Sequence, residues 1–356
     1  MKALRFYAPK DVRLEDVPEP ECGPDEVKIR VRNCSTCGTD VKIFNNGHQN
    51  ISPPRTMGHE VAGEVVEVGA DVSGWAPGDR VQVIAAVPDG ECYECRQGWM
   101  AVCENQTSIG YQYEGGFAEY MIVPPQVLKV GGLNRIPDNI GFDEASVAEP
   151  FACAINAQEL IKVGDGDTVV VFGAGPIGCI HIRLARANGA SRVFLIDVNA
   201  ERLKMSADAV QPDEVINGSE VDVVDRVMEL TDGRGPDVVI TATAANVAQE
   251  QAIRMAARRG RISFFGGLPK TNPYIQCDSN LVHYRELMIM GANGSAPSHN
   301  KRALEYISSG QVPVKDLITV HLPLERVLDA FDIVAKGEAI KVTVEPGSPK
   351  AGCAGR

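Results

Sequence analysis

The chain lacks any apolar run approaching the ~20 residues that a membrane-spanning helix needs, which excludes a helical membrane anchor within it. It is also short of positive charge. Lys and Arg number 35 against 47 Asp and Glu, a formal net charge of -12 over 356 residues. That balance excludes the basic footprint that general nucleic-acid binding requires. Internal repeats and low-complexity segments are absent, so no repeat architecture is expected. The N-terminus, Met1-Lys2-Ala3-Leu4-Arg5, turns polar almost at once. No secretory leader is therefore expected, and the cytoplasm is the simplest location.

What remains is an ordinary soluble composition, 44% hydrophobic and 23% charged. The length suits two domains at roughly 100–200 residues each, enough to bury a core without disulfides. Cysteine is not scarce: there are ten, and six precede residue 104. Three of these cluster as Cys92, Cys95 and Cys103. In a cytosolic protein such clustering points to metal rather than disulfides.

The N-terminal part, residues 1–154, reads as short strands. Val27, Ile29 and Val31 alternate with Lys28, Arg30 and Arg32, the period of a half-buried strand. Residues 60–68 and 80–84 look similar, and Pro and Gly punctuate them. Near residue 165 the texture changes. Val169-Val170-Val171-Phe172 is a continuous apolar run, as a parallel strand buried on both faces requires. A helix follows from Pro176, with Ile177, Ile180 and Leu184 on one face, ending at Gly189. Further strands are expected at 193–196, 215–216, 238–240, 262–265 and 287–290, with helices between them. Strands alternating with helices predict a doubly wound parallel sheet. Helices at 301–308 and 324–336 and a closing strand at 341–344 complete the reading. The tail from Gly347, with Cys353, is small and polar and is expected to lack fixed structure.

Gly173-Ala174-Gly175-Pro176-Ile177-Gly178 is a G-x-G-x-x-G run between a predicted strand and a predicted helix, the context this otherwise weak motif needs. Gly173 permits a tight turn, Gly175 lets backbone approach a pyrophosphate, and Gly178 lets the helix pack on the sheet. The phosphates then meet free N–H groups at a helix N-terminus. Asp197 follows Gly178 by 19 residues, at the end of the next predicted strand. Its carboxylate accepts from a ribose 2′-OH and repels a 2′-phosphate, so NAD is expected over NADP.

Cys92, Cys95 and Cys103 have the spacing C-x2-C-x7-C, which suits thiolates converging on one tetrahedral zinc. Asp89 is the available fourth ligand; the alternative is a metal-free lobe of reduced thiols. Cys37 and His59 form a separate pair. A catalytic zinc keeps about three protein ligands and an open position, and Glu149 can supply the third. A solvated or helix-start acid is the plainer account of Glu149.

Together these residues resemble the medium-chain, zinc-dependent alcohol dehydrogenase family, and within it the sorbitol-type polyol dehydrogenases. The likeness runs from Met1-Lys2-Ala3-Leu4 through Gly58-His59-Glu60 to Lys341-Val342-Thr343-Val344-Glu345-Pro346. It implies an α/β protein: a GroES-like β-barrel catalytic domain from residues 1–154 and 291–356, and a Rossmann NAD-binding domain at 155–290. A structural-zinc lobe would span 88–104, and Asp89, Cys92, Cys95 and Cys103 fall in it. Cys37, His59 and Glu149 would hold catalytic Zn2+, with Glu60 beside it. Thr39 would relay the substrate proton. Ile177, Asp197 and Arg202 would contact NAD, and Gly266-Gly267 would underlie the nicotinamide. The implied partner is a small polyol, and the implied assembly a tetramer or dimer.

The departures bear on the substrate. Asp89 stands where the lobe usually begins with Cys, and Lys42 where many relatives carry a relay His. Ile43 replaces a pocket tyrosine, and no substrate arginine lies near Gly291-Ala292-Asn293-Gly294-Ser295. A roomier pocket would suit a cyclitol, with His48 a candidate lining residue or a plain loop histidine. The rival readings are simple alcohols, threonine, polyol phosphates, and a non-catalytic NAD-binding protein.

Overall fold

The computed structural model describes residues 1–346. The tail beginning at Gly347, Cys353 included, lies outside the described residues. The chain divides into two compact units, Met1–Ala152 with Gly294–Arg356, and Cys153–Asn293.

The first unit is β-rich. Its main sheet has seven strands. Leu133–Arg135, Arg80–Val83, Glu60–Val68, Val27–Ser35, Lys341–Glu345 and Ile318–Pro323 follow one another, and Tyr120–Val123 also pairs with Val27–Ser35. Every pairing is antiparallel except that of Ile318–Pro323 with Lys341–Glu345. The alternation at Val27, Ile29 and Val31 has the cause expected of it: all three side chains sit in the unit's apolar core with Val61, Val65 and Met121. The helix expected at 301–308 begins earlier, as Pro297–Ser308, because Pro297 serves as a first-turn proline. The one expected at 324–336 is a 3-10 turn, Leu324–Arg326, leading into the helix Val327–Lys336.

The second unit is a six-stranded parallel sheet. Its order is Glu214–Asn217, Arg192–Asp197, Thr168–Phe172, Val238–Thr241, Arg261–Phe264, Met288–Gly291. In chain order that is 3-2-1-4-5-6, the doubly wound Rossmann arrangement, which leaves a crevice where the winding reverses beside the first strand. The first strand is central, and Val169, Val170 and Val171 are wholly buried. That burial explains why its sequence is continuously apolar rather than alternating. The α/β class and the parallel sheet expected from the sequence are those observed.

Candidate functional sites

The glycine run lies at the C-terminal end of the strand Thr168–Phe172 and opens the helix Pro176–Ala187. Gly173 has φ +106, and a Cβ there would stand 2.7 Å from the Ala242 carbonyl. At Gly178 a Cβ would lie 1.8 Å from the Gly173 carbonyl oxygen, so no side chain fits. At Gly175 nothing lies within 4 Å of a built Cβ, so this side of the turn is open to a ligand. The helix has no side-chain cap, and Pro176 occupies its first turn. Its remaining first-turn N–H groups suit an anion.

Asp197 ends the next strand. Its Oδ2 accepts from the Ala174 N–H at 2.7 Å, and Oδ1 accepts from Val198 at 2.7 Å and Asn199 at 3.0 Å. These bonds fix the carboxylate against the glycine turn. A cavity of about 160 Å³ beside it is lined by Gly173, Asp197, Gly218, Thr243 and Val247 among others. A larger hollow, about 370 Å³, is lined by Leu203, Lys204, Ile216 and Arg226 and touches none of these glycines. Of the two, only the smaller cavity contains residues of the glycine turn and the acid. Arg202 sits in the first turn of the helix Ala200–Val210, its N–H donating to Asn199 Oδ1 at 2.9 Å, and does not line the cavity. Gly266 is pressed against the end of the fourth strand in chain order: a Cβ there would stand 2.2 Å from the Thr243 carbonyl.

In the first unit, Cys37, His59 and Glu60 offer ligand atoms that all lie within 4.8 Å of one another. Cys37 caps the helix Gly38–Asn46; its Sγ accepts from the Thr39 N–H at 3.4 Å. Asp40, in the same first turn, accepts from the Cys37 N–H through Oδ2 at 2.8 Å. Its other oxygen stands 3.4 Å from His59 Nδ1. A carboxylate so placed can orient the imidazole and leave its Nε2 open to a metal ion. Burial alone would lower the His59 pKa, but the Asp40 carboxylate and Cys37 raise it well above 6.5. A metal ion at His59 would therefore compete with a proton for the ring.

Glu60 is wholly buried, and burial pushes its pKa up against the opposing pull of Lys341. Lys341 Nζ lies 2.5 Å from Glu60 Oε2 and donates to the Thr36 carbonyl at 2.9 Å. Glu60 Oε1 has no hydrogen-bond partner among the described residues. A buried acid oxygen left open beside a thiol and an imidazole fits a soft divalent cation such as zinc. Glu149, in the helix Ala148–Leu160, does not join the tight group. It is buried nearby: burial first, then Glu60 and Asp40, push its pKa up to about 7 against the pull of His59 and Lys341. Lys42 is exposed on the Cys37-capped helix, whereas Ile43 points into the core.

Asp89, Cys92, Cys95 and Cys103 form a second such group, again within 4.8 Å. Cys92 and Cys103 sulfurs are 3.7 Å apart. Cys92 Sγ accepts from the Cys95 N–H and Cys103 Sγ from the Asp89 N–H. Asp89 accepts from the N–H groups of Glu91 and Cys92 and from Asn105, which hold its carboxyl far below the usual range. Burial pushes Cys95 up to about 12. Three buried thiols with N–H donors aimed at sulfur, plus one ionised acid, are the donor set of a closed zinc site.

Sequence reasoning missed three residues at the first group: Asp40, Lys341 and Tyr111. Asp40 had a legible signal, the capping-box spacing Cys37-x-x-Asp40. Tyr111 lies with its ring centroid 6.3 Å from that of His59 and 4.9 Å from that of His48. Burial pushes its pKa up to about 12.

Comparison with known proteins agrees with this chemistry. The model for the alcohol dehydrogenase GroES-like domain matches residues 23–132, and that for zinc-binding dehydrogenases matches 176–309. A sorbitol dehydrogenase of Halalkalibacterium halodurans is 31% identical over 94% of this chain and 95% of its own. An L-threonine 3-dehydrogenase of Pyrococcus furiosus is 36% identical, with 96% of each covered. Among solved structures, the 2R,3R-butanediol dehydrogenase of Bacillus subtilis superposes with a TM-score of 0.87 at 29% identity, covering 97% of this chain and 99% of that one. The fold and the two donor groups define an NAD(P)-dependent alcohol oxidoreductase. The chain belongs to the medium-chain, zinc-dependent alcohol dehydrogenase family, in its sorbitol-like branch. Among the described residues no helix is long and apolar enough to cross a membrane.

Proposed function

We propose that this enzyme catalyses the reversible, NAD-dependent oxidation of a secondary alcohol of a polyol or cyclitol to the ketone. The observation that carries the reading is the group of half-buried Cys37 with buried His59 and Glu60, and Asp40 against His59 Nδ1. When bound, zinc supplies Lewis acidity toward the alcohol and NAD supplies the hydride acceptor. In this reading Cys37, His59 and Glu149 hold the catalytic metal, and Glu60 is a transient ligand or holds a water. Asp40 keeps the His59 ring in register. The Thr39 hydroxyl passes the alcohol proton outward, and exposed Lys42 or water receives it. Gly173, Gly175, Pro176, Ile177 and Gly178 cradle the pyrophosphate, and Asp197 holds the adenosine ribose. Arg202 and Gly266 complete the cofactor contacts. Asp89, Cys92, Cys95 and Cys103 hold a structural zinc. A cytoplasmic location and an assembly of two or four copies go with the family resemblance.

The substrate class rests on chemistry shared by the relatives' names. Sorbitol, threonine and butanediol each carry a secondary carbinol beside a carbon bearing oxygen or nitrogen. A polyol satisfies that pattern with neutral groups alone. Threonine is the second reading, favoured by the 36% identical relative. A solved neighbour from Sinorhizobium meliloti, described as a zinc-binding dehydrogenase, is bound to NADP, so the cofactor must be tested with the substrate. The test is a panel of polyols, cyclitols, polyol phosphates, simple alcohols and L-threonine, each with NAD and NADP, scored by kcat/KM. A polyol or cyclitol with NAD should lead. Threonine or a simple alcohol leading by tenfold would overturn the substrate class. Full activity in a folded Cys37→Ala variant would overturn the mechanism.

A further inference from the structure

We infer that Tyr111 is a specificity-determining residue, whose hydroxyl donates a hydrogen bond to the substrate oxygen on the carbon next to the reacting carbinol. The inference rests on the polyol reading and deepens it.

The loop carrying Tyr111 is tied by its own hydrogen bonds. The Tyr111 N–H donates to the Ser108 carbonyl at 3.3 Å, Gly110 donates to the Tyr113 carbonyl at 3.0 Å, and the Ser108 N–H is held by Gln112 Oε1 at 3.0 Å. The aromatic ring is therefore presented from a turn closed by its own hydrogen bonds. It stands edge-on between two histidines of opposite character: His59, buried in the metal-binding group, and His48, exposed at the surface. Tyr111 thus borders the way from solvent to the metal-binding group. The charges of His59, Asp40, Cys37 and Glu149 act on its hydroxyl, while its ring packs against the edge of the unit's apolar core.

The phenol makes no hydrogen bond to any described residue. Tyr111 is half-buried and its oxygen is not among the buried orphan atoms, so the hydroxyl can exchange a water for a ligand oxygen. A substrate oxygen beside the carbinol would supply it, and a simple alcohol would not. Sites built to bond a hydroxyl discriminate strongly against analogues that lack it. His48, whose ring meets Tyr111 at 88°, would limit how far that second oxygen can swing outward.

The test compares cyclohexanol with trans-cyclohexanediol, vicinal hydroxyls being the sole difference. Native holoenzyme and Tyr111→Phe are assayed for kcat/KM with NAD. Calorimetry on the NADH-loaded proteins gives the Kd of each alcohol, and thermal melting checks that both are folded. In Tyr111→Phe the diol-to-monoalcohol ratio of kcat/KM should fall about ten- to hundredfold. The diol Kd should weaken more than the cyclohexanol Kd. An unchanged ratio with unchanged Kd values in the folded variant overturns the role of Tyr111 and leaves the polyol reading standing. A native enzyme with no preference for the diol overturns the polyol reading, and this assignment with it.

Discussion

Replacing Lys341 by Met should destabilise the first unit by an amount large enough to read in a simple melt. Lys341 and Glu60 are 3% and 0% exposed, with Nζ 2.5 Å from Oε2. Removing the ammonium leaves a carboxyl buried beside Asp40 and Glu149, with the Thr36 carbonyl stripped of its donor. Breaking a buried pair by deleting one partner costs about 3–5 kcal/mol. For a unit of this size each kcal/mol moves Tm by about 2–4 °C, so the loss should be roughly 6–20 °C. Metal-free protein should show it in full; zinc-loaded protein should show less, since a bound cation gives Glu60 a second positive neighbour. Lys341→Met, Glu60→Gln and the double variant, melted at pH 7, close a double-mutant cycle. The double variant should recover most of the loss, because it buries no unpaired charge. A single-variant cost below about 1 kcal/mol, or costs that simply add, would refute the view that this pair is coupled.

Four further outcomes follow from the same structure. His181 is wholly buried, its Nε2 has no partner among the described residues, and burial lowers its pKa from 6.5 to about 3. The unfolded chain binds this proton and the fold does not, so stability is intact above pH 6.5 and falls toward pH 3 by about 1.4 kcal/mol per pH unit; denaturant titrations from pH 7 to 5 should show His181→Gln losing that slope. Gly178→Ala forces a methyl to 1.8 Å from the Gly173 carbonyl; NADH binding measured by fluorescence should be lost, and near-native affinity would refute the close-packing argument. Asp89→Ala should cut zinc from two to one per chain by elemental analysis while NAD-dependent turnover persists at ambient temperature, since the three thiols alone leave the lobe site short of a ligand. Zinc binding near pH 7 should release protons, because His59 is raised well above 6.5 and Glu149 to about 7 in the metal-free protein; calorimetry in buffers of different ionisation enthalpy measures this, and a buffer-independent heat would contradict it.

The parts legible in the sequence are those where one local constraint dominates. A strand buried on both faces must be apolar throughout, and Val169–Phe172 is. A turn that packs a helix against a strand must exclude side chains, and Gly173 and Gly178 do so for separate reasons, one of conformation and one of space. The helix Ala148–Leu160 escaped notice because it is apolar nearly all round and carries no 3.6-residue stripe. The helix Gly38–Asn46 escaped because Gly38, Thr39 and Val41 are poor helix formers, and only its capping box betrays it. Lys341 escaped for a deeper reason. A lysine at the start of a strand is ordinarily solvated, and its partner Glu60 stands on another strand far earlier in the chain.

That pairing shows what composition cannot. Around His59 the fold buries three carboxyls, Asp40, Glu60 and Glu149, beside the half-buried Cys37 thiol, and opposes them with one ammonium, Lys341. One fixed positive charge cannot balance four acidic groups so placed. The deficit is met by protons, which the raised His59 and Glu149 pKa values express, or by a divalent ion. A purely structural cluster would gain nothing from such an excess of acids, since apolar side chains of similar volume would be as stable or more so. The excess makes sense if the protons are meant to leave. The same desolvation that makes the metal-free site costly would favour a divalent ion there, and Asp40, 3.4 Å from His59 Nδ1, would leave Nε2 to the metal.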